Sequence, residues 1–350
     1  MADAMIVDLP ATTIDAVVTR QLSLRDDVGA MALSRVLTLV VLTPGTRTED
    51  ALKVANQATR QHPSRIVCVA TGNARRSTRI DAQIRVGGDA GASEIVVLRL
   101  VGELADQAAS VVLPLLLADS PIVAWWPFAA PADVSSDPIG LLADRRITDA
   151  QHAGHPPRQL RVWADHYHPG DTDLAWTRTT RWRGLLAAAL DQPPYEPVTS
   201  AAVVGATESA STDLLAGWLA ARLACPVHRA RTVRGTGLVS VRLSRASGQI
   251  DLVRPAGDLA LLSQPGQPPR RIALPRRGDA ECLADELARL DADEVYQEVL
   301  VSGLAAVRPR RQLTAVEALR RSLIPSVEAA ECVLGRHRRA EPRPVLGTTS

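Results

Sequence analysis

The first half of the chain alternates between continuous apolar runs and amphipathic segments. RVLTLVVLT (35–43) and RIVCVAT (65–71) are rich in β-branched and apolar residues at consecutive positions, which predicts strands that are covered on both faces. Between them, residues 48–61 place apolar side chains at helical spacing behind the acidic pair Glu49–Asp50, which predicts a helix with Thr48 as its N-cap. This alternation favours a mixed or mostly parallel sheet flanked by helices.

The same pattern continues as far as a proline-rich hinge, DQPPYEP (191–197). Asp137 followed by Pro138 is a strong start signal for a short helix. PIVAWWP (121–127) predicts a buried strand that ends at two adjacent tryptophans. The expected elements are strands over 80–86, 94–100, 121–126 and 160–165, helices over 103–117, 139–146 and 181–191, and a loop over 151–158.

The second half changes to short strands separated by turn sequences. Residues 198–206 predict a strand, residues 211–223 a helix capped by Ser211 or Thr212, and residues 226–274 four or five short strands joined by hairpin turns. The sequence therefore predicts an α/β protein whose smaller C-terminal α/β domain contains an antiparallel sheet. The expected units are an N-terminal α/β domain over 1–191, a linker over 192–197, a C-terminal domain over 198–304 with helices over 273–290 and 293–303, and a flexible, Arg-rich tail over 305–350.

Length and charge narrow the class of protein. At 350 residues the chain exceeds the usual size of one hydrophobic core, which agrees with two domains. Its net charge of +2 is too small to indicate a nucleic-acid partner. The Arg-rich tail alone keeps a nucleic-acid-binding regulator as a further hypothesis. Lys53 is the only lysine and has no neighbouring base, so Schiff-base chemistry is not expected.

The cysteines and the N-terminus indicate the compartment. The four cysteines are isolated and lack the spacing of a zinc site, which favours reduced thiols in a cytoplasmic protein; they are Cys68, Cys225, Cys282 and Cys332. The acidic N-terminus lacks the basic segment of a signal peptide. The most apolar stretch, 108–128, is interrupted by two prolines and an aspartate, which argues against a membrane span. The sequence predicts neither a metal nor a cofactor.

Two segments contain residues that can form a site, and each has a simpler structural explanation. HYHPGDTD (166–173) combines two histidines with Asp171 and Asp173, which gives either a metal site or a hydrogen-bonded turn. VRGTGLVS (233–240) has the glycines of a phosphate loop, but strands are predicted on both sides, which favours a hairpin turn. The chain has no Walker lysine and no Gly-x-Ser-x-Gly motif. An enzyme is therefore not predicted.

LLADRRITD (141–149) is the most informative polar segment. Its adjacent arginines, Arg145 and Arg146, are expected at the end of a short helix, where they cap carbonyl groups, pair with Asp144 or Asp149, or bind a phosphate. The structural ion-pair interpretation and the ligand interpretation both remain open. The preceding tryptophan pair is expected to place one ring under a helix and the other in a crevice shared with the segment Asp144-Arg145-Arg146, at the carboxyl end of the sheet, where open α/β sheets bind ligands.

Five segments, in order along the chain, resemble one family, the glucose-6-phosphate dehydrogenase assembly proteins (OpcA) of the actinobacterial type. The resemblance runs from about residue 5 to residue 303 and covers both predicted domains, whereas the Arg-rich tail is not matched. The segments are ADSPIVAWWPFAAP (118–131), DPIGLLADRRITD (137–149), GDTDLAWTRTTRWRGLLAAALDQPPYEPV (170–198), STDLLAGWLAARL (211–223) and PRRGDAECLADELARLDADEVYQEVL (275–300).

The resemblance implies a non-enzymatic accessory protein that binds glucose-6-phosphate dehydrogenase and promotes its assembly or activation, which supports NADPH production in the oxidative pentose phosphate pathway. An alternative is a sensor that binds a sugar phosphate or nucleotide at the strand ends of the N-terminal domain, and a sugar phosphate or NADPH is also considered as a modulator of the accessory role. Tryptophan and arginine are favoured at interfaces. The residues expected to contact a partner or ligand are Trp125, Trp126, Asp144, Arg145, Arg146, Thr148, Asp149, Asp171, Asp173, Trp176 and Trp182.

Overall fold

Two β-sheets and the helices around them make up the part of the chain that the computed structural model describes. These residues are 5–27, 37–60, 62, 64–86, 94–117, 119–254 and 257–309. The first sheet has eight strands in the order β1-β4-β5-β3-β2-β6-β7-β8. Its strands are β1 (Met5–Thr12), β2 (Leu37–Pro44), β3 (Ser64–Thr71), β4 (Arg79–Val86), β5 (Glu94–Val101), β6 (Ile122–Trp125), β7 (Arg145–Thr148) and β8 (Asp171–Asp173).

The first sheet is mostly parallel, as the sequence predicts. Every neighbouring pair from β5 to β8 is parallel, whereas β4 pairs antiparallel with both β5 and β1. Strand order in the parallel part starts at β2, proceeds through β3 to β5 on one side, and resumes at β6 on the other side of β2. The order therefore reverses between β2 and β6, and doubly wound sheets bind ligands at the carboxyl ends of the strands at such a point.

Helices cover both faces of this sheet. The helices of the first half are α1 (Ile14–Asp27), α2 (Thr48–Ala58), α3 (Ala108–Val112), α4 (Pro156–Asp165), α5 (Leu174–Thr177) and α6 (Thr180–Leu190). Leu52 of α2 packs on one face, and Val17 of α1 and Val112 of α3 pack on the other. Burial on both faces explains why β2 and β3 are continuous apolar runs rather than alternating ones.

The prediction of a helix over 139–146 is wrong. Asp137 accepts hydrogen bonds from the backbone N–H groups of Ile139 and Gly140, but only a single 3₁₀ turn follows, at Gly140–Leu142. Arg145 and Arg146 then form the start of β7, where they pair with β6. Asp137 therefore does cap a turn, as its sequence context indicates. The conformation of the next residues is set by pairing with the neighbouring strand, because tertiary contacts override a weak local preference for helix.

The prediction of a strand over 160–165 is also wrong, and the predicted loop over 151–158 includes the start of a helix. α4 begins at Pro156, and Leu160 and Trp163 of this helix are buried at a spacing of three residues. Proline is favoured in the first helical turn, where its missing N–H group is not needed. The predicted helix over 103–117 is divided into α3 and two short 3₁₀ segments, Gly102–Asp106 and Leu113–Leu115.

Sequence pattern predicted the caps of α2 and α7 (Ala210–Arg222) one to three residues too late. α2 begins at Thr48 itself, with Arg47 at the N-cap position. The N-cap of α7 is Ser209, whose side chain accepts a hydrogen bond from the backbone N–H of Thr212. Several polar residues in a row can each serve as a cap, so their order along the chain does not decide between them.

The second sheet has seven strands and is mostly antiparallel, as predicted. Its order is β14-β13-β12-β11-β9-β10-β15, and β9 and β10 are parallel strands joined by α7. The five strands within 226–274 agree with the prediction of four or five. The strands are β9 (Ser200–Ala206), β10 (Val227–Thr232), β11 (Leu238–Arg245), β12 (Gly248–Val253), β13 (Leu259–Ser263), β14 (Arg270–Ala273) and β15 (Arg308–Pro309).

The chain returns from the second sheet to the first. α8 (Asp279–Leu287) packs against α2 and buries Cys282, Leu283 and Leu287 on a face of the first sheet. α9 (Glu294–Glu298) continues through a π-helical turn, Val299–Gly303, to Ala306. The two sheets are therefore also joined by α8 and α9, which lie between β14 and β15 in sequence, and not only by the stretch around the predicted linker.

Two further observations complete the fold. Most of the Arg-rich tail, residues 310–350, lies outside the described residues, so the prediction of a flexible tail stays a prediction. Among the described helices, none has both the length and the apolar character needed to cross a lipid bilayer.

Candidate functional site

A crevice lies at the carboxyl ends of β2, β3 and β6, where the strand order of the first sheet reverses. Its volume is about 450 Å³, and alanines, prolines and Trp126 contribute much of its lining. Trp125 points to the opposite face of the sheet and is buried among residues of α2 and α8. The prediction that one tryptophan packs under a helix while the other faces a strand-end crevice is confirmed, but Asp144, Arg145 and Arg146 do not line this crevice, so the prediction that they share it is wrong.

This crevice lacks the features that bind a dinucleotide. A dinucleotide site places a glycine-rich turn and the positive end of a helix against the pyrophosphate. Here β2 leads into α2 through Pro44-Gly45-Thr46-Arg47, and the first turn of α2 carries Glu49 and Asp50. A hydrogen bond from Arg85 lowers the pKa of Glu49, so this carboxylate is ionised at neutral pH. The negative charge at the helix N-terminus disfavours a phosphate there.

Arg145 and Arg146 are buried on β7 and point to opposite faces of the sheet. Arg145 forms an ion pair with Glu286 of α8 at 2.5 Å and also donates to the backbone carbonyl of Asp291. Arg146 pairs with Asp171 of β8 at 2.5 Å and donates to the carbonyl oxygen of Ala143 at 2.9 Å. The structure therefore favours the structural ion-pair interpretation, with partners other than the expected Asp144 and Asp149.

Asp144 and Asp149 have different roles. Asp144 is exposed, and its carboxylate accepts a hydrogen bond from the backbone N–H of Ile122 at 2.8 Å. Asp149 is buried and receives two hydrogen bonds from the Arg178 guanidinium, at 2.8 and 2.7 Å. Burial opposes its charge, but Arg178 and His152 hold the pKa of Asp149 down to about 2. This carboxylate thus stays ionised inside the protein.

The Asp149 carboxylate belongs to a cluster that has the donor atoms of a metal site. Asp149, His152 and Asp279 place one oxygen or nitrogen each within 4.8 Å of one another. Arg178 bridges the two carboxylates, because it also donates to Asp279 at 2.6 Å. The guanidinium supplies the positive charge that a metal ion would otherwise bring, so the cluster is explained as an ion-pair network that ties the end of β7 to α8.

His152 makes the stabilisation of the fold by this ion-pair network depend on pH. A hydrogen bond to Asp149 raises the pKa of His152 above 6.5, although its burial acts in the opposite direction. Because the folded pKa is raised, the stabilisation by protonated His152 is fully present below the unfolded pKa and is lost as the pH rises through the folded pKa.

We expect His152→Ala to lower the free energy of unfolding more at about pH 5.5 than at about pH 8.5, by less than about 1 kcal/mol because the imidazole is partly exposed. Urea unfolding followed at both pH values measures this difference. His155→Ala is the control, since His155 forms no ion pair within the described part of the chain. A cost for His152→Ala that is equal at the two pH values would contradict this role.

Asp171, Asp173 and Thr148 hold the end of the first sheet together. Asp173 is fully buried and accepts hydrogen bonds from Thr148 Oγ1 at 2.7 Å and from the backbone N–H groups of Ala150 and Ala175. Burial and the nearby charge of Asp149 raise the pKa of Asp173 to about 6. In HYHPGDTD, Asp171 accepts from the backbone N–H of His168 at 2.8 Å, which makes this segment the hydrogen-bonded turn that was the alternative to a metal site.

Trp176 and Trp182 lie in two different apolar clusters. Trp176 packs against Tyr296 and donates from its indole N–H to Asp293 at 2.9 Å, while Arg183 lies over its ring at 3.6 Å. Trp182 packs with α7 and the second sheet. Both side chains are buried, as are all the other predicted contact residues except Asp144. The structure brings most of them together at one end of the first sheet, whereas Trp182 lies under the second sheet.

Comparison of the sequence with models of protein families shows to which family the chain belongs. Two models, described as the N-terminal domain and the C-terminal domain of a glucose-6-phosphate dehydrogenase subunit, match residues 55–165 and residues 169–300 respectively. The chain belongs to the OpcA family of glucose-6-phosphate dehydrogenase assembly proteins. The two OpcA matches contain the strands of both sheets except β1, β2 and β15 and confirm the resemblance seen in the sequence, whereas the actinobacterial type stays a prediction.

Two solved structures are similar to this chain, both at low sequence identity. An oxidoreductase from Sinorhizobium meliloti is 10% identical, with 77% of this chain and 94% of that chain covered and a TM-score of 0.43. A dehydrogenase from Chromobacterium violaceum is 9% identical, with 82% and 96% covered and a TM-score of 0.37. No curated protein sequence gives a significant match. These structural similarities are too weak to carry a functional argument.

Proposed function

We propose that this protein is a non-enzymatic accessory protein that binds glucose-6-phosphate dehydrogenase and promotes its assembly or activation. The observation that carries the proposal is the pair of OpcA family matches, which together cover residues 55–165 and 169–300 and include strands of both sheets. The internal pairing of the charged groups agrees with it, because Arg145, Arg146 and Arg178 each have a carboxylate partner and are not available to a substrate.

A binding partner can activate the dehydrogenase in one physical way. It must bind the active conformation or oligomer more tightly than the inactive one, because a ligand shifts an equilibrium only by its difference in affinity. Such an effect would raise NADPH production at the entry to the oxidative pentose phosphate pathway. The cytoplasm is the proposed location, in agreement with the free thiols of Cys68, Cys225 and Cys282.

The surface around the crevice of the first sheet is the proposed contact with the dehydrogenase. Trp126 lines this crevice. Asp144, which follows Trp126 in the chain, is exposed. Leu141, between them in the chain, is 72% exposed, more than any other aliphatic side chain among the exposed large hydrophobic residues of the described ranges. The buried members of the predicted contact set would act indirectly by holding β6, β7 and β8 in place, since their side chains do not reach the surface.

Leu141→Glu tests this surface. A carboxylate in the centre of an interface must lose its hydration without gaining a partner, so we expect the affinity for the dehydrogenase to fall by about tenfold or more. Binding is measured by size-exclusion chromatography with light scattering and by titration calorimetry. Leu259→Glu, at a residue 57% exposed on β13 of the second sheet, is the matched control and should bind like the unmodified protein.

These binding measurements test the proposed contact surface and the proposed accessory function separately. Equal binding by both variants would show that another surface meets the dehydrogenase. Absence of any complex with the unmodified protein would contradict the accessory function itself.

A further inference from the structure

A second cavity lies at the carboxyl ends of β9 and β10, the parallel strands of the second sheet. Its volume is about 260 Å³. The residues after β9 lead directly into α7, and the turn from 233 to 237 leads from β10 to β11. This turn is not the predicted hairpin between paired strands, because β9 lies between β10 and β11. It crosses the end of β9, where the backbone N–H of Ala206 donates to the carbonyl oxygen of Gly237 at 2.7 Å.

Backbone groups give one wall of this cavity a positive potential. α7 is a 13-residue helix whose N-cap, Ser209, lines the cavity, so the positive end of the helix faces it. The acidic residue of its first turn, Asp213, pairs with Arg229 at 2.6 Å and does not line the cavity. Gly235 and Gly237 line the opposite side with positive φ angles of 85° and 62°. A Cβ atom at Gly237 would collide with the Arg276 guanidinium, so the glycine allows this side chain to lie against the turn.

Arg254 is a buried cation that lacks a carboxylate partner. Its side chain lines the cavity and only 7% of the residue is exposed. Its guanidinium donates to the backbone carbonyls of Leu274 at 2.8 Å and Leu238 at 3.3 Å, which leaves further N–H groups for other acceptors. No carboxylate in the described ranges forms an ion pair with it, in contrast to the buried arginines Arg145 and Arg242.

Arg276 adds a second cation without an ion pair among the described residues. It is exposed at the mouth of the cavity and donates to the carbonyl oxygen of Thr236 at 2.6 Å. Burial and repulsion from Arg276 lower the pKa of Arg254 to about 10, which still leaves it protonated at neutral pH. The Arg254 guanidinium also lies 5.2 Å from the centre of the Trp182 ring, which stabilises its charge in part. A buried guanidinium without a counter-ion remains costly, and an anion bound between the two arginines would lower that cost.

The other charges around the cavity leave this positive excess in place. Arg178 and Arg277 also line it, but they are paired with carboxylates of Asp149, Asp279, Glu281 and Asp285. Glu208 is the acidic residue of the lining, and one of its carboxylate oxygens accepts from the backbone N–H of Gly235 at 2.7 Å. Its single negative charge reduces the excess from the two arginines Arg254 and Arg276 but does not cancel it.

We propose that this cavity binds the phosphate group of a small phosphorylated metabolite, held between the Arg254 and Arg276 guanidinium groups and the N-terminus of α7. Arginine suits this role because its planar fork donates two parallel hydrogen bonds to phosphate oxygens. The cavity is smaller than the usual site of a drug-sized ligand, which favours a compact phosphate monoester over a dinucleotide. This site is separate from the strand-end crevice of the first sheet, and its existence does not depend on the accessory function.

Titration calorimetry on the full chain tests this site with inorganic phosphate, glycerol phosphate and unphosphorylated glycerol at constant ionic strength. We expect both phosphate-containing probes to bind and glycerol not to bind. Arg276→Ala should weaken the binding of glycerol phosphate by about tenfold or more, because it removes a charge-assisted hydrogen bond. Arg271→Ala is the matched control, since it removes an exposed arginine from β14 that does not line the cavity.

Arg254→Lys provides a second variant that keeps the charge but loses the planar fork, and it should also weaken binding. Thermal unfolding of each variant checks that the fold is retained. Binding of inorganic phosphate but not glycerol phosphate would overturn the assignment to a phosphorylated metabolite. Absence of binding by both probes at about 10 mM, or unchanged affinity in Arg276→Ala, would overturn the site itself. No dehydrogenase is present in these titrations, so their outcome is independent of the proposed function.

Discussion

Arg145→Ala is expected to lower the free energy of unfolding by about 3–5 kcal/mol. Arg145 is 2% exposed, and its guanidinium connects β7 to Glu286 and to the backbone carbonyl of Asp291 after α8. Removing it leaves the Glu286 carboxylate buried with only the Thr177 hydroxyl, among the described residues, as a hydrogen-bond donor. Urea unfolding followed by tryptophan fluorescence measures the change.

The control for this prediction is an ion pair on the surface. Arg222 pairs with Glu298 at 2.6 Å, but the two side chains are 47% and 40% exposed, so Arg222→Ala should cost about 0–1 kcal/mol. An equal cost for Arg145→Ala and Arg222→Ala would contradict the buried ion pair. The burial of Arg145 and Arg146 makes both residues unsuitable as probes of a binding surface, because their replacement by alanine destabilises the fold.

Trp176→Ala is also expected to cost about 3–5 kcal/mol, because it opens a large cavity in the cluster that joins the two halves of the molecule. Trp176 is 1% exposed and packs with Tyr296 of α9 and with Leu214 of α7. The cluster also contains Leu160 of α4, so loss of the indole loosens helices attached to both sheets. Thermal and urea unfolding of the purified variant give the size of the loss.

Trp176→Phe separates packing from hydrogen bonding. Phenylalanine keeps an aromatic ring in the cluster but removes the indole N–H that donates to Asp293, so its cost should be about 1–2 kcal/mol. An alanine variant no less stable than the phenylalanine variant would show that the ring is not a structural connection between the two halves.

Elements with a strong hydrophobic pattern or clear turn sequences could be predicted from the amino-acid sequence. β2 and β3 are long apolar runs that are buried on both faces, and the five strands from β10 to β14 are marked by turn sequences between them. α4 and β7 could not be assigned correctly, since each is short and its conformation depends on contacts outside the segment. Leu160 and Trp163 fit a helix as well as the strand that was predicted.

The ion-pair partners of the candidate site residues could not be predicted from the sequence, for a different reason. Arg145 is 141 residues from Glu286, and Arg178 is 101 residues from Asp279. Both contacts exist because α8 leaves the second sheet and packs on the first, and a single sequence contains no signal for which sheet a helix covers. The same limit applies to the cavity at the carboxyl ends of β9 and β10, because Arg254 and Arg276 come together with α7 only through the order of the strands.

Steady-state kinetics of glucose-6-phosphate dehydrogenase from the same organism tests the central claim most directly. The initial rate of NADP⁺ reduction is measured while this protein is added at increasing concentration, and the molar mass of the mixture is followed by light scattering. The account predicts that the rate rises and saturates as a complex forms. An unchanged rate and the absence of a complex at micromolar concentrations of both proteins would contradict it.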